Sequence, residues 1–439
     1  MLFPFLDTYD ALQDELGKLG CTLPMSDDLS VLSKPLTFGQ SKTYTLPNRF
    51  VVQPMEGFDS GPDGEPVELA FRRYERFASG GAGLIWFEAT AVRAEGRCNS
   101  QQLWLHDKSA DRFAALDDKM RAAAKKKFGH DIVSIIQLTH SGRYSKPIRG
   151  KRMPVIAQHS EVLDPHWGVP EDYPLMTDDD FDRLQDDFVA AAKLAAKCGF
   201  DGVDIKSCHG YLLNELLGSH TREGKYGGSF ENRTRFLRET IDRIRNEVPT
   251  LIATTRMNAY DGVQYPWGFG ANKEDYKQWD LTEAKSLAKM LHELGSPLLN
   301  IAIGNPYFNP HCNRPYAKQI RGAVPYDEHP LLGIVRYVNI VREVQESLPE
   351  VPMMGAGMAW LRYLVPKIAA GMIQQGYSQL FGFGRNALAY PDMPADIMSK
   401  GAMDESKTCM ACSGCTELMR AETPTGCVIR DREYYSLPE

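Results

Sequence analysis

The sequence lacks both long apolar runs and an excess of basic residues. None of its 439 residues belong to an uninterrupted apolar stretch of the ~18 residues that a membrane-spanning helix needs. The 57 acidic residues outnumber the 50 basic ones, and this balance argues against a surface that neutralises nucleic-acid phosphates. The chain also begins without a basic segment followed by a long apolar core, so no signal peptide is expected.

Cysteine is too sparse for a disulfide framework. Nine cysteines in a chain of 439 residues favour free thiols or metal ligands, and therefore a reducing, cytoplasmic compartment. With 43% hydrophobic and 24% charged residues, the composition is that of an ordinary globular protein. The length suits an α/β fold, one (β/α)8 TIM barrel with attachments. We expect an N-terminal helical extension over 1–35, the barrel over 36–400 and a cysteine-rich tail over 401–439.

The stretch from Gly199 to Asn214 is central to the functional interpretation. Its apolar run Phe200–Ile205 predicts a short buried strand. The polar side chains Lys206, His209 and Tyr211 follow at once. Catalytic residues in TIM barrels lie at such strand ends. From these residues alone, a catalytic cluster and an ordinary polar loop remain open.

The next segment carries a longer motif. Tyr226-Gly-Gly-Ser-Phe-Glu-Asn-Arg-Thr-Arg-Phe236 predicts a tight glycine turn and a helix capped by Ser229. Together with the preceding strand, it resembles the Old Yellow Enzyme family of FMN-dependent ene-reductases. The likeness covers most of the chain, from about Thr37 to Cys427. It implies the barrel fold, an FMN site at the strand ends and NADH or NADPH as the electron donor.

The resemblance also implies which residues bind FMN. Gln137 matches the glutamine that bonds the flavin pyrimidine edge, and Arg256 the arginine that stabilises the negative edge of the reduced flavin. Glycines and an arginine after strands seven and eight match the phosphate site. The predicted cofactor-binding residues are Pro54, Met55, Glu56, Ala89, Gln137, Arg256, Gly357, Gly384 and Arg385.

Several positions leave alternatives open. Glu56 stands where the family carries Thr, Cys or Ala, so its carboxylate either opposes the reduced flavin or points elsewhere, for example to an arginine. His140 is interpreted as structural. His311 either contacts substrate or packs its loop. The aromatic loop 261–280 is expected to form a lid or a substrate wall.

For catalysis, the resemblance implies reduction of the C=C bond of an α,β-unsaturated carbonyl compound. The family's two carbonyl-oxygen donors correspond to Lys206 and His209, and its proton-donating tyrosine to Tyr211. Lys206 departs from the family histidine and can instead pair with an acid. The aromatic loop, together with the absence of a basic patch for a coenzyme A phosphate, favours a planar ring enone such as a flavonoid or a steroid. Enoates, enoyl-CoA thioesters and amine dehydrogenation remain alternatives.

The tail carries a second specific pattern. Cys409, Cys412, Cys415 and Cys427 have a spacing that suits a [4Fe–4S] cluster or zinc. Multidomain relatives such as 2,4-dienoyl-CoA reductase and trimethylamine dehydrogenase carry a similar set. A cluster here either accepts electrons from a separate protein or is a structural remnant beside direct reduction by NAD(P)H. The expected partners are a small-molecule substrate and, in the first of these two cases, a separate electron-donor protein. An oligomer is also possible.

Overall fold

The computed structural model describes residues 3–39, 42–319 and 328–437, and the ends of the predicted extension and tail lie outside this part. Short parallel strands form the centre of the fold. The first two strands form an antiparallel hairpin, and the later strands follow one another around a ring. The strands are β1 Leu36–Phe38, β2 Tyr44–Leu46, β3 Phe50–Val52, β4 Leu84–Ala91, β5 Val133–Thr139, β6 Gly202–Ile205, β7 Ile252–Thr254, β8 Arg256–Tyr260, β9 Leu299–Ile303, β10 Met353–Met354 and β11 Phe381–Phe383.

The ring is parallel throughout and closes on itself. One run of pairs has the order β11-β3-β4-β5-β6-β7, and the other has the order β10-β9-β8. Strands β7 and β8 are two parts of the predicted fifth strand, separated at Thr255, whose hydroxyl donates to the Ile205 carbonyl at 2.7 Å. The Leu380 N–H donates to the Met353 carbonyl at 3.2 Å and joins the two ends. The predicted (β/α)8 barrel is confirmed.

Helices surround the strands because their apolar faces are buried against the sheet. Helix α5 begins with a capping box of Thr177 and Asp180, and the Ser229 hydroxyl accepts from the Asn232 N–H at the start of α7, as predicted. No helix among the described residues is long and apolar enough to cross a membrane. The helices are α1 Tyr9–Lys18, α2 Glu68–Ala78, α3 Ala110–Phe128, α4 Leu163–Trp167, α5 Asp178–Lys197, α6 Leu212–Leu217, α7 Phe230–Glu247, α8 Thr282–Glu293, α9 Pro310–Asn313, α10 Pro330–Ser347, α11 Val365–Gln374, α12 Arg385–Ala389, α13 Met393–Lys400 and α14 Gly414–Arg420.

The N-terminal end of the barrel is closed by the predicted hairpin. Strands β1 and β2 pair antiparallel, with Leu36 opposite Leu46. Their buried side chains form one apolar cluster with Trp86 and other strand residues. Gln40 and Ser41, between the two strands, lie outside the described residues.

The opposite end is crossed by the C-terminal strap, which we define as residues 408–435. The Cys409 N–H donates to Asn386 Oδ1 at 2.9 Å, beside α12. Further along, the Thr425 N–H donates to the Gly57 carbonyl at 2.6 Å, just after β3. Asp431 then accepts from Arg72 of α2 at 2.8 Å. The strap therefore runs over the face on which strand ends carry functional side chains.

Candidate active site

A cavity of about 580 Å³ opens at the carboxyl ends of the strands. Strand ends, the following loops and the strap all contribute to its wall. The structure brings the three predicted catalytic residues together here, with all but one of the predicted cofactor-binding residues. They are Pro54, Met55, Glu56, Gln137, Lys206, His209, Tyr211, Arg256, Gly357, Gly384 and Arg385.

Glu56 points to polar partners from β6 and its loop. Its Oε1 accepts from the Tyr211 hydroxyl at 3.0 Å and from Gln102 Nε2 at 3.2 Å, and lies 3.8 Å from Lys206 Nζ. Lys206 Nζ also lies 3.6 Å from the centre of the Tyr211 ring. Of the alternatives for Glu56, the structure shows the carboxylate pointing to Lys206 and Tyr211, and no arginine pairs with it among the described residues. Sequence analysis allowed Lys206 to pair with an acid but did not identify that acid as Glu56.

Two of these groups are held in their neutral forms. Burial, with the Cys98 thiol and the Glu56 carboxylate nearby, raises the pKa of the Tyr211 phenol well above its usual range. Burial and the cations Arg256 and Lys206 lower the pKa of His209 well below its usual range. A protonated phenol and an uncharged imidazole both keep an O–H or N–H that can be donated.

Asp204 organises Gln137 and Arg256, the two residues that the sequence assigned to the edge of the flavin ring. Its carboxylate accepts from Gln137 Nε2, from Trp86 Nε1 and from the Arg256 backbone N–H, each at 2.6 Å. Burial raises the pKa of this carboxyl to about 6. Asp204 thereby fixes Gln137 and orients the start of β8, where Arg256 lies.

Several buried polar atoms in the cavity have no partner within the described structure. Two belong to residues that the sequence assigned to the flavin, one to the predicted carbonyl donor His209, and one to Gln53, to which the sequence assigned no role. Gln53 Oε1 accepts from Asn300 Nδ2 at 2.9 Å, which leaves its amide nitrogen free to donate. Buried polar groups are normally hydrogen-bonded, so these atoms are available to a group that binds in the cavity. The atoms are Gln53 Nε2, His209 Nε2, Arg256 Nε and Arg385 Nη1.

One end of the cavity is suited to a phosphate group. Arg314 and Arg385 lie close together, and neither forms an ion pair with an acid among the described residues. Burial and the positive charge of Arg385 lower the pKa of Arg314 to about 10. Gly357 has φ +93°, which favours glycine, and leaves the backbone open there. An anion would relieve the repulsion between the guanidinium groups, so this donor set fits FMN. Arg314 was missed because it follows no motif.

An aromatic wall faces the catalytic residues. The rings of Tyr144 and Tyr307 stack with centroids 4.1 Å apart, and Trp167 approaches Tyr144 edge-on at 5.1 Å. The Tyr307 hydroxyl lies 2.9 Å from that of Tyr211. None of the residues of loop 261–280 lines the cavity, so of the two predicted roles, lid or substrate wall, the loop does not fill the second.

Two further predicted positions lie away from the cavity wall. Ala89 is buried on β4 and does not belong to the lining among the described residues; its carbonyl accepts from Gln102 Nε2 at 2.9 Å. The register between β4 and β5 shifts just before Ala89, between Phe87 and Ala89. His140 is buried, and its Nδ1 accepts from the Gly142 N–H at 3.1 Å, which agrees with a structural role. His311 does not line the cavity either.

The cysteines of the strap gather around a second, small cavity. Cys409, Cys412, Cys415 and Cys427 all line this space of about 20 Å³, and Cys415 also lines the main cavity. Backbone N–H groups of Ala411 and Arg430 point at the sulfurs of Cys409 and Cys427, at 3.4 and 3.3 Å. Within the described residues, however, no set of three or more His, Cys, Asp or Glu side chains is arranged to hold a metal ion.

Comparison with known proteins now places the chain. The model of the NADH:flavin oxidoreductase / NADH oxidase family matches residues 31–292. The chain belongs to this family. Membership confirms the resemblance to Old Yellow Enzyme, and the family is that of flavin-dependent, NAD(P)H-linked oxidoreductases.

Relatives and solved structures agree with this placement. The chain is 35% identical over 269 residues to an NADPH dehydrogenase of Bacillus pumilus, covering 60% of this chain and 71% of the relative. An NADH:flavin oxidoreductase of Gibberella zeae is 31% identical over 278 residues, 59% of this chain and 64% of the relative. The chain thus spans less than two thirds of that protein.

Among solved structures, a 2-naphthoyl-CoA reductase complex has a TM-score of 0.72 at 22% identity, over 92% of this chain and 57% of that one. Morphinone reductase has a TM-score of 0.61 at 21% identity, over 87% and 91%. At these sequence identities, the similarity to the two solved structures shows only that the chain shares their fold.

Proposed function

We propose that this flavin oxidoreductase is an FMN-dependent ene-reductase that reduces the C=C bond of an α,β-unsaturated carbonyl compound. The observation that carries the proposal is the convergence of Lys206, His209 and Tyr211 on one wall of a cavity that also holds unpartnered flavin-facing donors. Bound FMN, reduced by NADH or NADPH, would supply the hydride. The FMN would be held by Gln53, Gln137, Arg256, Arg314 and Arg385.

The chain's own residues then perform two tasks. Lys206 and His209 donate to the carbonyl oxygen and stabilise the negative charge that develops there. Tyr211 gives its phenolic proton to the α-carbon, and its raised pKa keeps that proton available at neutral pH. Glu56 and Tyr307 orient the phenol through hydrogen bonds of 3.0 and 2.9 Å.

Tyr211→Phe tests this assignment. We expect the rate of product formation to fall about 10²- to 10⁴-fold, the usual contribution of a positioned proton donor, while NAD(P)H still reduces the flavin at nearly the original rate. Stopped-flow absorbance separates the two half-reactions. Tyr173→Phe is the matched control, because its hydroxyl donates to the Pro154 carbonyl at 2.8 Å, away from the cavity lining. Equal loss in both half-reactions would remove Tyr211 from this role.

We propose that the four strap cysteines hold a [4Fe–4S] cluster rather than zinc. Hydrogen bonds to cysteine sulfurs are a feature of iron–sulfur sites, and here backbone N–H groups point at Cys409 and Cys427 while all four cysteines line one small cavity. A reducing cytoplasmic compartment would keep these thiols available. Iron and acid-labile sulfide analysis of protein purified without oxygen checks the assignment, and stoichiometric zinc without sulfide would contradict it.

The identity of the substrate is the finer part of the proposal. The stacked Tyr144 and Tyr307 rings suit a planar ring enone, such as a flavonoid or a steroid. The same rings, with Trp167, also suit a cationic amine, so amine dehydrogenation is the second candidate. The Lys206 ammonium on this wall would repel such a cation. Anaerobic reduction by an amine alone, without NAD(P)H, would favour the dehydrogenase.

A further inference from the structure

The loop after β5 and its short 3-10 turn forms a strongly basic hairpin, which we define as residues 145–153. Its ends are joined by the Met153 N–H donating to the Ser145 carbonyl at 2.9 Å, and its tip by the Lys151 N–H donating to Ile148 at 2.9 Å. The sequence contains no acidic residue between Gly142 and Ser160. A local surplus of positive charge is unexpected in a chain whose net charge is −7. The hairpin's cations are Lys146, Arg149, Lys151 and Arg152.

The hairpin is held at the mouth of the cavity. Lys146 and Arg152 line the cavity, as does Trp167 of α4. The Arg152 guanidinium lies over the Trp167 indole, 4.8 Å from the ring centre, and donates to the Trp167 carbonyl at 3.3 Å. On the other side, Glu422 of the strap pairs with Lys146 and accepts from the Gly150 N–H at 3.2 Å.

Of the four hairpin cations, Lys146 alone has an acidic partner among the described residues. Glu422 pairs with Lys146, and within the described residues no acid pairs with Arg149, Lys151 or Arg152. The side chains at the tip are exposed to solvent. Arg256, Arg314 and Arg385 line the cavity from other elements and are the arginines proposed above to hold the flavin, so the hairpin cations are not needed for that role. The premise that the chain lacks a basic patch near the site is thus wrong.

We propose that hairpin 145–153 binds the phosphate groups of a nucleotide that enters the cavity from this mouth. Phosphate is the anion that exposed arginine and lysine side chains recognise best, and Trp167 offers a flat apolar surface beside them. Two nucleotides carry the required chemistry. One is the adenosine 2′-phosphate of NADPH as electron donor, and the other is the phosphorylated adenosine of a coenzyme A thioester as substrate. The choice between these two nucleotides rests on the proposed reductase function. The proposal that the hairpin binds phosphate does not depend on that function.

The test uses the holoenzyme and the double variant R149Q/K151Q. Both side chains lie at the exposed tip and outside the cavity lining, so the fold is retained. The matched control K108Q/K126Q removes the same charge from exposed positions elsewhere. Calorimetry at low and high salt measures binding of adenosine 2′,5′-bisphosphate, coenzyme A and, as uncharged reference, adenosine.

We expect at least one of the two phosphorylated probes to bind more tightly than adenosine, and R149Q/K151Q to weaken that binding about fivefold to tenfold. The control should bind like the wild type, and salt should weaken binding of the phosphorylated probe. Wild-type binding of neither probe above adenosine, or equal binding by wild type and R149Q/K151Q, would overturn the proposal.

Kinetics then identify the nucleotide. A rise in KM for NADPH but not for NADH assigns the hairpin to the electron donor. A rise in KM for an enoyl-CoA but not for the same acyl group on N-acetylcysteamine assigns it to the substrate. Binding of a phosphorylated probe without turnover of any enone would contradict the proposed reaction but support the phosphate site. Enone turnover without binding of either probe would support the reaction and contradict the phosphate site.

Discussion

Asp204 shows, at the scale of single residues, how one buried carboxylate holds two cofactor-facing groups. It accepts from the Gln137 side chain and from the Arg256 backbone N–H, both at 2.6 Å, and from Trp86. All three hydrogen bonds are short, and the carboxylate is buried, so water cannot take the place of a lost donor. We therefore propose Asp204 as a positioning residue, which acts on the flavin through Gln137 and Arg256.

Asp204→Asn tests this role. An amide can accept at one atom only, so at least one of the three donors would face an N–H group and lose its bond. We expect the free energy of unfolding to fall by ~1–3 kcal/mol, and FMN to dissociate more readily because Gln137 is no longer fixed. Thermal melting and fluorescence of released FMN measure the two effects.

Asp107→Asn, at an exposed position, is the matched control and should change neither quantity. If D204N melted and retained FMN like the wild type, the hydrogen bonds to Asp204 would not position the flavin-facing residues.

Motifs predicted the residues that lie directly after strands, because a strand end in a barrel fixes where the next side chains point. Lys206, His209 and Tyr211 were found in this way. Gln53 was missed although it directly follows β3, because its free amide nitrogen is apparent only once Asn300 is seen to occupy its oxygen. Arg314 was missed because it follows no motif and lies near its partner Arg385 only in three dimensions. The pairing of Glu56 with Lys206 spans 150 positions of sequence and shows only in three dimensions.

At the scale of elements, loop 261–280 keeps its shape through Asp261. The carboxylate accepts from the Val263 N–H at 3.0 Å and from the Phe269 N–H at 2.7 Å, across the loop. Burial raises the pKa of this carboxyl to about 7, against the lowering effect of those two bonds. The loop is thus internally bonded, which explains why its aromatic residues do not reach the cavity as the sequence suggested.

The raised pKa of Asp261 predicts a pH dependence of stability. The folded protein keeps the Asp261 proton up to about pH 7, whereas the unfolded chain releases it near pH 4. Because the folded state binds more protons in this window, the contribution of Asp261 to the free energy of unfolding falls as pH rises from about 4 to 7. Asp261→Asn should therefore show a flatter pH dependence there than the wild type, measured by denaturant unfolding at several pH values.

Asp280→Asn serves as the control at the end of the same loop. Bonds from Thr282 lower the pKa of Asp280, so its stability contribution is lost only at lower pH. Other buried carboxyls with raised pKa values, such as Asp204, are present in all three proteins and cancel in the comparison. An unchanged slope in D261N between about pH 5 and 7 would contradict the assignment of this titration.

For the whole molecule, the strap connects elements that are far apart in sequence. It contacts α12 at Asn386, the hairpin 145–153 at Gly150, the end of β3 at Gly57 and α2 at Arg72. The barrel itself was predictable, because each strand and helix carries its own local pattern. The path of the strap was not, since it depends on single hydrogen bonds between distant residues. Its side chains line the cavity at Thr416, Met419, Arg420 and Glu422.

If the four cysteines hold a cluster as proposed, the strap connects that cluster to the active site. Cys427 lies between Glu422, which contacts the hairpin, and Asp431, which contacts α2. Cys427→Ser removes one ligand, and we expect the strap to open more often. Tryptic cleavage within 408–435 should become about tenfold faster, which corresponds to ~1.4 kcal/mol of lost local stability. Mass spectrometry of the fragments locates the cuts.

FMN retention should fall in the same variant, because Cys415 and Thr416 form part of both the strap and the cavity wall. Cys21→Ser, in the N-terminal extension, is the matched control and should leave iron content, cleavage and FMN retention unchanged. Loss of iron from C427S with a strap that stays protected would mean that its hydrogen bonds and ion pairs suffice without the cluster. Loss of protection together with FMN would mean that the thiol site and the flavin site are held by one and the same segment, so that damage to the first opens the second.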